Sequence, residues 1–228
     1  MNIQTRTIFI TGTDTGVGKT LLTALLLQHL LDSGVEALAM KPFCSGGRAD
    51  VDLLQAVQDS RLPDDAINPF YFTEPVAPLV AIRKLRRRIS LAQVLQKIRA
   101  VESRCERLLI EGSGGLMVPL GEGYSVADLI EELACEVIVV ARNQLGTLNH
   151  TILTVNALRV RTKGPIKVVL MDAAKPDFST PTNRTILLQT LAPVPVFGLP
   201  FLGVKACQPG AVKINAKKVK KTLASLLG

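Results

Sequence analysis

The most constraining feature of this chain is the run Gly12-Thr13-Asp14-Thr15-Gly16-Val17-Gly18-Lys19-Thr20, which follows a β-branched apolar segment and opens directly into a helical pattern. A glycine-rich turn at a strand-to-helix junction leaves several backbone N–H groups free to converge on one point. The helix N-terminus adds a partial positive charge there, so the turn suits a phosphate. In such a loop the lysine, here Lys19, reaches the outer phosphates, and the hydroxyl of Thr20 ligates Mg2+. Five residues separate Gly12 from Gly18, one more than in the usual phosphate loop, so this is a variant of it.

A phosphate loop belongs at the carboxyl edge of a parallel sheet, and the rest of the chain has the matching alternation. Short β-branched runs predict strands at Thr7 to Thr11, Ala37 to Lys41, Arg107 to Glu111, Val137 to Ala141, Lys167 to Met171 and Val194 to Leu199. Helical patterns fall between them at Lys19 to Leu31, Val51 to Gln58, Leu91 to Arg104 with Ser90 as its N-cap, Asn149 to Val160 and Thr182 to Leu191. A last helix is expected to start near Asn215. Runs such as Val137-Ile138-Val139-Val140 read as strands buried on both faces. The expected fold class is therefore α/β: a three-layer α/β/α architecture on a mainly parallel sheet, resembling the P-loop nucleoside triphosphatases. No repeat or low-complexity linker divides the chain, so a single domain over residues 1–228 is expected.

Composition narrows the partners. With 47% hydrophobic and 20% charged residues the balance is that of a globular protein in water. The longest apolar stretch, Leu21 to Leu31, is broken by Thr23, Gln28 and His29, short of the roughly 20 residues that span a bilayer. No membrane partner is expected. The residues before Thr7 show no apolar signal core, so a cytoplasmic location is expected. Cys44, Cys105, Cys135 and Cys207 form no CxxC pair and read as buried small hydrophobes rather than a disulfide framework or zinc site. The net charge of +8 sits mainly in two patches, Arg83 to Arg88 and Lys217 to Lys221. Neither is interleaved with aromatics, which favours solvated faces over a nucleic-acid partner.

Two further segments carry chemistry. Glu111 closes a strand and is followed by Gly112-Ser113-Gly114-Gly115, placing a carboxylate where Mg2+ on a nucleotide needs one. Lys41 leaves the second strand into Pro42-Phe43-Cys44-Ser45-Gly46-Gly47, bringing a second cation into the same crevice as Lys19. Asp52, just beyond, is a candidate second metal carboxylate.

Taken together, GTDTGVGKT, KPFCSGG, the Asp52-Leu-Leu run, LLIEGSGG, Asn149-His150 and Leu199-Pro200-Phe201-Leu202 resemble the landmarks of the dethiobiotin synthetases, in that family's order, from Gly12 to about Leu202. The resemblance implies an ATP- and Mg2+-dependent ligase that closes the ureido ring of dethiobiotin from 7,8-diaminononanoate and carbon dioxide, acting as a homodimer with each substrate site near the subunit interface. It implies that a substrate carbamate attacks the γ-phosphate and that the neighbouring amine then closes the ring. It assigns Thr15, Lys19 and Lys41 to the carbamate and the phosphoryl group, and Thr20, Asp52 and Glu111 to Mg2+. The nucleotide would lie along Thr13, Asp14, Thr15, Gly16, Val17, Gly18, Lys19 and Thr20, with Asp172, Pro200 and Leu202 towards its base. Ser45, Gly112 and Gly115 would face the substrate, and Gly146, Thr147, Leu148 and Asn149 of a second copy would receive its distant carboxylate. His29 and His150 read as structural.

Three positions depart from the family pattern. Gly16 stands where some relatives carry Glu, and Gln144 stands where a lysine is common. Met171 replaces an Asn that hydrogen-bonds the base, leaving Asp172 as the nearest polar group. The nearest competing class is a nucleotide-driven partitioning switch, but those proteins carry an extra lysine early in the loop, where this chain has Asp14 and Thr15. Asn143-Gln144-Leu145-Gly146 is a poor match to the guanine-reading Asn-Lys-x-Asp of GTPases. A ligase with the same core acting on another amine or acid is the third reading.

Overall fold

The computed structural model describes residues 7–228. The expectation drawn from the segment before Thr7 lies outside the described residues. The chain runs β1 (Thr7–Gly12), α1 (Lys19–Asp32), β2 (Ala37–Met40), β3 (Phe43–Ser45), α2 (Ala49–Val57), α3 (Asp64–Ile67), β4 (Phe70–Phe72), α4 (Pro78–Lys84), α5 (Leu91–Glu102) and β5 (Arg107–Glu111). It continues through β6 (Pro119–Gly121), β7 (Tyr124–Ser125), α6 (Val126–Leu133), β8 (Glu136–Arg142), α7 (Thr147–Arg159), β9 (Ile166–Met171), α8 (Thr180–Thr190), β10 (Val196–Leu199), α9 (Pro209–Lys218) and α10 (Lys220–Leu227).

Six strands form one sheet in the order β10-β9-β8-β1-β5-β2, and every pairing in it is parallel. From β1 the chain winds first towards β2 and then, after β5, crosses to β8 and on to β10. The reversal lies at β1, whose neighbours are β5 and β8. In such a sheet the crevice beyond the carboxyl ends of the strands at the reversal is the natural ligand site. Right-handed crossovers put α1, α2, α9 and α10 on one face and α5 to α8 on the other, a three-layer α/β/α arrangement. The central strands are buried on both faces, with Ile8, Phe9, Ile10, Leu108 to Ile110 and Val137 to Ala141 at most 1% exposed, so their sequences run apolar without alternating.

The six expected strands all form, with ends shifted by a residue or two. Four places differ more. The expected start of a helix at Asn149 moves back to Thr147, because Gly146 takes φ +92° and caps the helix, and His150 N–H already bonds the Gly146 carbonyl. The last helix starts at Pro209, not near Asn215, using proline at its first position, and breaks at Val219 into α10. Helices α3, α4 and α6 were not expected, nor the small β3-β4 and β6-β7 pairs, because segments this short carry too few periods to stand out as a pattern. The expectation of four buried cysteines holds for Cys44, Cys105 and Cys135, whereas Cys207 is exposed in the loop before α9. Among the described residues no helix is long and apolar enough to cross a membrane.

Candidate functional site

The reversal point gathers side chains that the sequence holds far apart. After β1 the chain pairs once more with β8, Thr13 N–H donating to the Val140 carbonyl at 3.0 Å, and then turns through the glycine loop. Gly18 adopts φ +105° and caps α1, a backbone conformation that favours glycine, and a Cβ there would lie 3.0 Å from Cε of the flexible Met171 side chain. Lys19, at the head of α1, is buried and its ammonium donates to the Asp14 carbonyl at 2.9 Å, closing the loop on itself.

Beside the loop, Glu111 at the end of β5 accepts two hydrogen bonds on Oε1, from Thr20 Oγ1 at 2.7 Å and from Lys41 Nζ at 2.8 Å. Its side chain is 0% exposed and its Oε2 has no protein partner. A buried carboxylate oxygen left unpaired is costly unless a ligand completes it. Lys41 also pairs with Asp50, and its backbone is fixed by α3 and the residue after it: Lys41 N–H donates to the Ile67 carbonyl at 2.8 Å and Asn68 Nδ2 donates to the Lys41 carbonyl at 2.8 Å. Thus a helical turn absent from any sequence pattern aims this lysine.

The two lysines differ in electrostatic setting. Burial brings the Lys19 ammonium down to about 8; attraction to Glu111 offsets part of that, and repulsion from Lys41 adds to it. Burial also acts to lower Lys41, but Glu111 and Asp50 outweigh it and hold its pKa above the ordinary lysine value. Lys41 is therefore a fixed cation neutralising two carboxylates, while Lys19 is a poorly compensated one whose best partner would be an added anion.

A cavity of about 620 Å³ opens over these groups. Its floor is Thr15, Gly16, Gly18, Lys19 and Thr20, and one wall carries Lys41, Ser45, Asp50 and Glu111. Ser45 Oγ is buried there without a hydrogen-bond partner. Four of its lining residues, Asp50, Ser113, Gly114 and Cys207, were not anticipated. Asp50, not Asp52, faces the cavity, and Asp52 is exposed outside it. Residues two apart on a helix point roughly 200° away from each other, so only one of the pair can do so. Ser113 and Gly114 line the cavity, whereas Gly112 packs behind it on Phe9 and Gly115 against the backbone of Gly12 and Thr13. The exposed Cys207 lies at its rim.

Other expected positions sit elsewhere. Thr13, Asp14 and Val17 form, with Arg142, Gln144, Thr147 and His150, a smaller cavity of about 100 Å³ shared with Thr15 on the other side of the loop. His150, read from sequence as structural, is exposed there; Leu148 is half-buried and Asn149 exposed on the same first turn of α7, after Gly146. Asp172 lines neither cavity, and its Oδ1 accepts from Asn143 Nδ2 at 2.8 Å. Pro200 is exposed and Leu202 half-buried beyond β10, also outside both cavities.

Oxygen ligands define what cation the main cavity suits. Thr20, Asp50 and Glu111 offer a hydroxyl and two carboxylates, and among the described residues no group of three His, Cys, Asp or Glu forms a resident metal centre. That set fits a hard divalent cation arriving with phosphates, and Mg2+ uses one or two protein carboxylates in this way.

Comparison with known proteins agrees with this geometry. A family model described as an AAA domain matches residues 6–202. Among solved structures, a ParA family ATPase from Chlorobium tepidum TLS superposes with TM-score 0.60 at 16% identity, covering 98% of each chain. The apo McdA of Cyanthece gives TM-score 0.61 at 12% identity over 98% of this chain and 99% of that one. At such identities the likeness establishes the fold alone. Curated relatives are much nearer in sequence. An ATP-dependent dethiobiotin synthetase of Anaeromyxobacter sp. (strain Fw109-5) is 44% identical over 75% of this chain and 79% of that protein. Those of Bacillus licheniformis and Nitrosopumilus maritimus are 36% and 33% identical over 86% of this chain, and over 83% and 90% of their own lengths. Identity at that level across most of both chains, on a phosphate-loop fold with its cations and carboxylates gathered at one rim, makes this chain a member of the ATP-dependent dethiobiotin synthetase family.

Proposed function

We propose that the large cavity is where this enzyme performs its ATP-dependent ring closure, with 7,8-diaminononanoate, carbon dioxide and Mg2+-ATP as reactants, and that one domain over residues 1–228 carries the whole site. The observation that carries this reading is the convergence of Lys19, Lys41, Thr20 and Glu111 on a single pocket, with Glu111 Oε2 and Ser45 Oγ buried and unpaired in its wall.

In this reading the loop amides and Lys19 take the β- and γ-phosphates, and Lys19 exchanges the Asp14 carbonyl for phosphate oxygen. Thr20, Glu111 and Asp50 would hold Mg2+, with Asp50 in the place first expected of Asp52. Bound there, the ion supplies charge stabilisation for the phosphoryl oxygens. Lys41, held cationic by its carboxylates, sits where negative charge builds as a carbamate oxygen attacks the γ-phosphorus and ADP leaves. The neighbouring amine then attacks the carbamoyl carbon, forming the C–N bond and releasing phosphate. Positioning and charge carry both steps, so no protein nucleophile enters. Ser45 Oγ and Thr15 are the polar groups facing the substrate side.

The active species is a homodimer, and its location cytoplasmic. Asn149, Leu153, Asn156 and Val160 form one exposed stripe of α7, with Leu153 61% and Val160 84% exposed. Leu145 and Phe178, both exposed, lie at the end of the same surface, joined through the Leu145 N–H to Asp177 Oδ2 bond of 2.7 Å. A second copy on this face would bring Gly146 to Asn149 within reach of a neighbouring substrate.

The test is ADP release with Mg2+, bicarbonate and diaminononanoate, each omitted in turn. Release that depends on the diamine and bicarbonate supports the reading. ATP hydrolysis indifferent to the diamine would instead support the partitioning-switch alternative.

A further inference from the structure

We infer that Arg142 is a positioning residue for the phosphate loop, acting as an external latch on the Gly16 peptide. This rests on the reading that Gly12–Thr20 holds the nucleotide phosphates. Arg142 is the last residue of β8, pinned between β1 and β9. Its guanidinium donates to the Gly16 carbonyl through Nη2 at 2.8 Å and Nε at 3.2 Å. Its foundation is rigid: Asn143 N–H donates to the Met171 carbonyl at 2.9 Å, and the Asn143 side chain is held by Asp172 at 2.8 Å and Asn183 at 2.9 Å.

The direction of this contact gives it a role. Arg142 borders the small outer cavity and is absent from the lining of the large one, while Lys19 borders the large one and not the small. The two cations therefore grip opposite sides of the loop. In a trans peptide the carbonyl and the following N–H point in opposite directions. Drawing the Gly16 carbonyl outward to Arg142 turns the Val17 N–H inward, towards the side where phosphate is bound. Gly16 is at φ +70°, a conformation a glycine holds without strain and equally leaves without strain, so an external contact is what selects it. A Cβ at residue 16 would lie 3.1 Å from Arg142 Nη2, so the latch also uses the space that glycine leaves.

Binding of ADP, with and without Mg2+, to the full chain tests this directly. Arg142→Ala is expected to weaken ADP binding about tenfold, as for loss of one solvent-exposed charge-assisted hydrogen bond that orients a binding amide. The KM for ATP should rise by a like factor, with kcat and the KM for the diamine within about twofold of the parent. Both donors serve a single oxygen, so Arg142→Lys should stay within about threefold of the parent for ADP. Unchanged ADP affinity in Arg142→Ala, or a rise confined to the diamine KM, overturns the latch. Should Arg142→Ala not fold, Arg142→Gln is measured in its place with the same outcomes. Lys19→Ala separates the two premises: if it too keeps full ADP affinity, the phosphate-loop reading itself fails, and if it alone loses affinity, only the latch does.

Discussion

At the scale of single residues, the charges at the candidate site differ in how far each is compensated. Asp50 and Asp52 look alike in the sequence, yet one lies against Lys41 and the other faces solvent. Asp50→Asn is expected to raise the Mg2+ concentration for half-maximal activity by about tenfold or more, and Asp52→Asn by less than about twofold. A magnesium titration in which the two variants exchange ranks would return the metal role to Asp52. Lys19 carries a prediction about pH. Its folded pKa of about 8 lies below the ordinary 10.5, so between those values the unfolded chain holds more protons, and this group's contribution to stability rises with pH across that window. Phosphate binding needs the cation. ADP affinity should therefore fall as pH rises past about 8, and binding near that pH should take up a proton. Calorimetry in buffers of different ionisation enthalpy reads this, and binding without proton uptake would remove Lys19 from the phosphate contact.

At the scale of elements, the legible parts are those that carry several periods or a chemical signature. The expected cap of α5 is present: Ser90 Oγ accepts from Gln93 N–H, and the Gln93 side chain accepts from Ser90 N–H at 2.8 Å. Ser90→Ala is expected to cost about 1 kcal/mol and to lower the melting temperature by roughly 2–4 °C, measured by thermal unfolding. A change of under half a degree would mean that tertiary packing alone sets this helix start. The unexpected elements are as instructive. Helix α3 is a single turn of four residues and leaves no periodic trace, yet its carboxyl end fixes the backbone of Lys41. Helix α7 begins at Thr147 because a left-handed glycine precedes it, so Asn149 falls within the first turn rather than at the cap.

At the scale of the whole molecule, the exposed stripe of α7 predicts that the protein is a dimer in solution. Leu153→Asp should shift it to monomer in sedimentation velocity, and a parent protein that is monomeric at micromolar concentration would refute the interface. The local chemistry of this enzyme was written along the chain: the glycine loop before Lys19, the carboxylate ending β5 and the unbroken apolar strands each follow from short-range rules of backbone geometry and hydrophobic burial. What the chain could not state was which groups meet. Asp50 rather than Asp52, Arg142 across the loop from Lys19, and Asn143 occupying Asp172 all depend on the parallel order β10-β9-β8-β1-β5-β2, which places β8 beside β1 and so Arg142 beside Gly16. Contacts of that kind join residues as much as 126 positions apart, and their identity is set by sheet order and helix phase rather than by any neighbouring residue.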